Sequence, residues 1–404
     1  MSSINLKSNI IATILSKSLI LLLNFAVVVL TTQLWGADGR GAVAIFVADL
    51  SLISIFANIF TGSSVSYFFS RLDTSKLATA AYLWSFLVPA GGALALLISG
   101  RLTEAPFLFA AASLMGLIAF HNSLFVGDQK ISYYNLMTVL QPALLLLCML
   151  VCHYWWPQLG YYCYFFGQTA SLLLMLLVCR FLRHKMQLRL HWDFDHSSNM
   201  PLLSFGWKTE LSSLLQFFNY RLTYYLLAYF ISRGSVGVFS IGVTIAEALW
   251  IVSRSVSMVQ FSNVLKQGNT MQSRKETMSL ALVSLGISAA CILVILLLPA
   301  SLFVFVFGPE FGEVKRVVLL LAPGILAIAF SNVLGNYFSA IRKLNILIIK
   351  SLIGLIFTLV LALWLIPRWQ IDGACIVNAA SYLISSVVLF LYYLSKKSVV
   401  DIHE

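Results

Sequence analysis

Charge is what this chain has least of. Only 10% of its 404 residues are Asp, Glu, Lys or Arg, 60% are hydrophobic, and the mean hydropathy is +0.91. That balance excludes a soluble domain of any fold. Acid is scarcer still, with 15 Asp and Glu against 26 Lys and Arg. The six cysteines (Cys148, Cys152, Cys163, Cys179, Cys291, Cys375) lie mostly in or beside apolar runs, and no Cys-x-x-Cys spacing joins them. They form no metal-ligand pattern and read as small hydrophobes. The short alternating segments of about ten residues that would build a membrane β-barrel are missing too. Continuous apolar windows of about 18 residues or more stand in their place, and a bilayer core of about 30 Å needs roughly 20 helical residues per crossing. The sequence therefore predicts an all-α integral membrane protein.

Gly, Pro and charge punctuate the chain into about twelve spans, at roughly 8–35, 40–70, 77–99, 105–126, 132–155, 160–182, 200–231, 236–262, 277–300, 314–340, 346–366 and 372–394. The first apolar run is too long for a secretory signal and no small-residue cleavage site follows it, so a retained span is expected. An even number of spans puts both termini on one side. Fifteen of the 26 Lys and Arg, among them Arg180, Arg183, Lys185, Arg274, Lys275, Lys396 and Lys397, fall on that side. Six fall on the other: Arg40, Arg101, Arg233, Lys315, Arg316 and Arg368. The excess marks the cytoplasmic face, so a multi-pass protein of the bacterial inner membrane with both termini cytoplasmic is expected. The net charge of +11 is thus mostly topology and gives no argument for nucleic acid.

The longest polar interruption, "RHKMQLRLHWDFDHSSN", falls mid-chain and separates two sets of six spans. The expected domains are an N-terminal six-helix bundle over 1–183, a cytoplasmic linker over 184–199 and a C-terminal six-helix bundle over 200–404. A shift of 196 residues lays "GADGRGAVAIFVADLSLI" over "SRGSVGVFSIGVTIAEAL", with Gly41 on Gly237, Ile45 on Ile241 and Val47 on Val243. With six spans per half this is a parallel repeat about an axis along the membrane normal.

Five cations, Lys17, Lys208, Arg221, Arg254 and Lys350, remain inside spans. Each charge at such depth costs roughly 2.5–3.5 kcal/mol on insertion scales, so those that cannot reach an interface face water or each other. Lys350, about one turn inside its span, can snorkel. Lys17, Asp49, Lys208, Glu210, Arg221 and Glu247 belong to spans 1, 2, 7 and 8, which correspond under the repeat. At about 100° per residue, Glu210 and Arg221 share a face about 16 Å apart along the axis, while Lys208 points elsewhere. Lys17 shares a face with Asn24, and Glu247 with Arg254. Cations in a cavity suit an anionic ligand such as a pyrophosphate, and acids at depth suit a coupling proton or sodium ion. The candidates are accordingly Lys17, Arg221, Arg254 and Lys208 for substrate, and Asp49, Glu210 and Glu247 for ion coupling or charge balance. The bland alternative is a set of buried structural pairs, such as Asp49 with Lys17.

Other motifs carry less. "HWDFDH", residues 191–196, offers an Asp-x-Asp, yet a loop of about 17 residues cannot build a nucleotide-sugar enzyme around a metal. It reads as a solvated linker whose Asp195 or Ser197 helps start the next helix. His121 near a helix end reads as a locally satisfied side chain. "YWWPQLGYYCYFF" and the surroundings of Trp364 and Trp369 mark the outer interface. Pro89, Pro142 and Pro323 can kink their helices, and "APG", residues 322–324, is a hinge candidate.

The chain resembles the O-antigen (Wzx-type) flippases of the multidrug/oligosaccharidyl-lipid/polysaccharide (MOP) exporter superfamily. The resemblance rests on "LWGADGRGAVAIFVADLSLISIF", on "FDHSSNMPLLSFGWKTELSSLLQFFNYRLTYYLLAYFISRGSVGVFSIGVTIAE" and on the six-plus-six plan. It implies a MATE-like, V-shaped pair of pseudo-symmetric six-helix bundles with spans 1, 2, 7 and 8 lining a central cavity. It also implies transfer of an undecaprenyl-pyrophosphate-linked oligosaccharide from the cytoplasmic to the periplasmic leaflet by alternating access, alongside a polysaccharide polymerase and chain-length machinery. Lys17, Lys208, Arg221 and Arg254 match the family's cationic cavity residues by location. The family often has an acid just after the middle of span 7, where this chain has Thr223. No catalytic residue, metal or cofactor beyond a coupling proton or sodium is expected. A multidrug extruder would favour acids and aromatics in the cavity. A membrane polymerase or ligase would be expected to use a sizeable outer loop, and a lipid II flippase typically has further spans.

Overall fold

The structure is a computed structural model that describes residues 3–69, 74–186, 199–267 and 270–395. Twelve α-helices fill it: α1 (Ser3–Thr61), α2 (Ser63–Phe68), α3 (Thr74–Ile98), α4 (Ala105–Gly127), α5 (Ile131–Trp155), α6 (Tyr162–Lys185), α7 (Asn199–Phe230), α8 (Arg233–Gln267), α9 (Met271–Leu297), α10 (Ala300–Phe307), α11 (Val314–Ala340) and α12 (Leu344–Leu394). Nine helical segments among the described residues are long and apolar enough to cross a membrane.

Two of these are broken midway. The backbone of α1 turns at Gly36 (φ 62°) and that of α12 at Gln370 (φ 49°), so each supplies two crossings. α7 is long enough at 32 residues, and Lys208, Glu210 and Arg221 lower its apolarity. It completes twelve crossings whose limits agree with the sequence expectation to within a few residues. The chain is a multi-pass membrane protein. Pro89, Pro142 and Pro323 sit inside α3, α5 and α11, whereas the left-handed breaks fall in the turns at Gly36 and Gln370. Gly324, the proposed hinge glycine, is a packing position: a Cβ there would lie 2.7 Å from Ala379 Cα.

Packing divides the chain into two compact units, Met1–Trp35 with Ile45–Leu214, and Gly36–Ala44 with Leu215–Glu404. The expected domains follow helix order, while this division follows contact and passes through α7. In the first unit α3 packs on α4, and α6 on both α4 and α5. Its core includes Ile59, Phe60, Val65, Leu77, Phe120, Leu124 and Leu202. In the second unit α11 is central, packed on α8, α9 and α12, with Leu334, Tyr337, Phe338, Leu389 and Tyr393 buried together. Large apolar side chains also cover the outside, as Ile98, Leu297 and Phe305 do, because hydrocarbon surrounds them. Small polar residues lie inside, where they let helices approach: Ser253 and Ser257 are fully buried and donate to the carbonyls of Trp250 and Ser253.

Within the second unit the 196-residue repeat appears as a reciprocal contact. A Cβ on Gly41 would overlap the carbonyl oxygen of Arg233, and one on Gly237 would overlap that of Ala37. Ala37 and Arg233 are themselves related by the shift. The same crossing carries Arg40 Nε donating to Ser240 Oγ at 3.1 Å, an Asp38–Arg233 ion pair at 3.3 Å, and the Ala37 N–H donating to Glu310. Arg40, counted from sequence among the cations of the outer side, is 8% exposed.

Candidate functional site

The second unit holds the best-defined intramembrane ion pair. On α7, Tyr220, Arg221 and Tyr224 follow helical spacing, so Arg221 and Tyr224 are neighbours one turn apart. The Arg221 guanidinium lies 5.0 Å from the centre of the Tyr224 ring, and its Nη1 donates to Tyr224 Oη at 2.9 Å. Nη2 pairs with Glu247 Oε1 on α8 at 2.8 Å. Tyr224 is anchored edge-on to Phe239. One turn back along α7, Tyr220 meets Trp250 and Tyr382, with ring centroids between 5.4 and 5.7 Å in all three pairs. Glu247 and Trp250 are three apart on α8, so the same two helix faces build the ion pair and the aromatic floor beside it. Trp250, Tyr224 and Tyr382 are buried, while the ion pair is partly exposed: the Arg221 side chain is 25% exposed and that of Glu247 34%. A guanidinium so held presents directed donors at an accessible surface, which is what a multi-oxygen anion needs. Arg254, two turns beyond Glu247 on α8, is exposed.

The first unit holds Asp49 differently from the pairing with Lys17 considered from sequence. Asp49 on α1 is 7% exposed and pairs with Arg101 Nη1 at 2.8 Å. Arg101, in the turn between α3 and α4, also grips Glu104 three residues on, through Nε at 2.7 Å and through Nη2. Burial opposes the Arg101 charge, and Asp49 and Glu104 more than offset it, so the guanidinium is held protonated above its ordinary range. Lys17 and Lys208 have exposed side chains, and so does Asn24; Glu210 is half-buried. His121 is buried and donates from Nδ1 to the Leu117 carbonyl at 2.8 Å, a local partner. The Asp-x-Asp loop at 191–196 lies outside the described residues.

Sequence reasoning thus found Arg221 and Glu247 separately and missed their pairing, the Arg101 partner of Asp49, and the Tyr220, Trp250 and Tyr382 floor. The spacing of Tyr220 and Tyr224 around Arg221, and of Arg101 and Glu104, carried a signal for parts of this.

The profile of the polysaccharide biosynthesis protein family matches residues 46–316, about two thirds of the chain. The protein belongs to that family. Capsular polysaccharide biosynthesis protein CapF of Staphylococcus aureus is 24% identical over 212 residues, 51% of this chain and 53% of that protein. The match therefore spans about half the length of that relative. Among solved structures, the inward-facing form of a multidrug resistance MATE family transporter of the MOP superfamily aligns with a TM-score of 0.73 at 13% identity, over 94% of this chain and 97% of that one. The inward closed form of the lipid II flippase MurJ aligns at 0.76 with 12% identity, over 96% and 87%. The MATE multidrug transporter DinF-BH aligns at 0.69 with 16% identity, over 98% and 96%. This polysaccharide biosynthesis family member has the two-bundle, twelve-span fold of MOP-superfamily transporters.

Proposed function

We propose that the protein is a flippase that moves an undecaprenyl-pyrophosphate-linked oligosaccharide, an O-antigen or capsule-type repeat unit, from the cytoplasmic to the periplasmic leaflet. Transfer proceeds by alternating access and is ion-coupled. The observation that carries this reading is the Arg221 side chain, fixed by Glu247 and Tyr224 inside a membrane-crossing helix and still one quarter exposed. Membership of the polysaccharide biosynthesis family supports a substrate of this class. Arg221 takes the pyrophosphate through directed N–H donors. Lys17, Lys208 and Arg254, exposed on their own helices, contact the headgroup and sugar; Asp49, Glu210 and Glu247 balance charge or carry the coupling ion. The Lys- and Arg-rich face lies in the cytoplasm of the bacterial inner membrane, and the released repeat unit passes to a polysaccharide polymerase and its chain-length machinery.

The test is genetic. In cells lacking the native copy, R221A or K17A accumulates lipid-linked repeat units in the inner leaflet and lowers surface polysaccharide. Normal surface polysaccharide in both variants contradicts the assignment, and drug resistance conferred by the wild-type chain without any polysaccharide phenotype favours an extruder instead.

A further inference from the structure

Lys350 sits on the inward face of its helix. The exposed apolar side chains in the first half of α12, Leu352, Ile356, Leu359 and Leu363, follow one stripe. At about 100° per residue Lys350 lies opposite them, in register with Ile346, Gly354, Thr358 and Ala362, all buried. Snorkelling along the lipid face, the route the sequence leaves open, starts from the other stripe. The inward stripe packs on α7 and on the second half of α12: Asn219 Nδ2 donates to the Ser351 carbonyl at 2.9 Å, and Ser385 Oγ to the Lys350 carbonyl at 3.3 Å. One turn from Lys350, a Cβ on Gly354 would lie 2.3 Å from Ser385 Oγ and 2.9 Å from Asn219 Oδ1, so not even a methyl group fits there. Asn219 Oδ1 is buried and accepts no hydrogen bond. Among the described residues no carboxylate or hydrogen bond engages the Lys350 ammonium either. The charged and titratable groups of the neighbouring elements are committed elsewhere: Arg221 to Glu247 and Tyr224, Tyr220 and Tyr382 to each other and to Trp250, and Tyr393 to Arg274 and Tyr337. Arg254 is exposed on α8.

A cation on the inward face of a span without a counter-ion marks a working site by default. Packing this tight one turn away leaves no room for a phosphate or a sugar, and an ammonium repels a metal cation. The ligand that fits is a proton. Lysines buried without a counter-charge are the ones that exchange protons readily, and a neutral amide oxygen receives the ammonium without fixing its charge as a carboxylate would. Resting on the ion-coupled reading above, we propose that Lys350 is the coupling site and the coupling ion a proton, with Asn219 Oδ1 as the neutral acceptor of the ammonium. Asp49, Glu210 and Glu247 then balance charge only. One N–H bond forms as water on one side of the membrane protonates the amine, and the same bond breaks as the proton leaves to water on the other side.

The experiment uses the purified full chain in vesicles holding undecaprenyl-pyrophosphate-linked oligosaccharide with a fluorescent sugar label. A pH gradient of one unit is imposed with the membrane potential clamped at zero, and an impermeant quencher reads the leaflet ratio. Coupling to one proton shifts that ratio by up to roughly tenfold per pH unit. The expected result is such a shift in the wild type, reversing with the gradient. K350R, which keeps its charge, and K350M, which has none, hold the ratio near one under either gradient, while at least one of them still equilibrates label between leaflets. N219D leaves the lysine in place but sets a carboxylate one turn away, which fixes the ammonium and removes the shift as well; it decides the matter where a Lys350 variant does not fold. A shift retained in any of the three variants, or flipping without a shift in the wild type, overturns the proposal and leaves the flippase standing. Loss of all flipping in folded K350R and K350M gives Lys350 a structural role and overturns it too. Wild-type vesicles that do not flip at all remove the flippase reading itself.

Discussion

Replacing Gly41 or Gly237 with alanine adds one methyl group, and at both positions the added Cβ overlaps a backbone carbonyl oxygen, of Arg233 and Ala37 respectively. A helix carbonyl cannot rotate aside as a side chain can, so the two helices must separate. Overpacking of this kind costs about 1–3 kcal/mol, and separation also strains the Arg40–Ser240 hydrogen bond and the Asp38–Arg233 pair at the same crossing. Because one separation relieves both overlaps, G41A/G237A destabilises by clearly less than the sum of the single variants. Gly91 in α3 and Gly286 in α9 are the controls: a Cβ there meets nothing within 4 Å. In those helices alanine stabilises by about 0.5–1 kcal/mol. Reversible unfolding in mixed micelles, read by tryptophan fluorescence, gives all five values. The reasoning fails if G41A and G237A are as stable as the wild type, or if their costs add in the double variant.

Two further outcomes follow from the same geometry. R101L deprives buried Asp49 and Glu104 of their shared guanidinium, so it destabilises by about 3 kcal/mol in the same unfolding assay, and D49N in the R101L background recovers a measurable part. Thr270 and Ser273 cap α9 reciprocally, each side chain accepting from the other's backbone N–H; T270A therefore costs about 1 kcal/mol, with unchanged transport.

Spans were legible because a bilayer demands about twenty apolar residues per crossing, a signal local in sequence. The breaks at Gly36 and Gln370 fell where glycine, charge and aromatic residues interrupt two apolar runs. The charges of α7 were legible as exceptions, and their partners were not. Asp49 meets Arg101, which lies in the turn between α3 and α4 some fifty residues away, and no periodicity links the two. Arg40 is one of six cations that span counting puts on the outer side, and side alone does not reveal that the glycine crossing buries it against Ser240. That crossing was visible as aligned glycines in the repeat, while its meaning, two backbones in reciprocal contact, required three dimensions. Arg221 and Glu247 lie 26 positions apart on successive helices, so each was a candidate alone before packing joined them.

The central claim, that this chain moves a lipid-linked oligosaccharide across a bilayer, is tested most directly by reconstitution. Purified protein is placed in vesicles holding undecaprenyl-pyrophosphate-linked oligosaccharide with a fluorescent sugar label, and a membrane-impermeant quencher is added outside. The account predicts that wild-type vesicles lose the protected, inner-leaflet fraction of the signal, and that R221A vesicles retain it as protein-free vesicles do. Wild-type vesicles that keep their inner-leaflet signal as long as protein-free ones would contradict it.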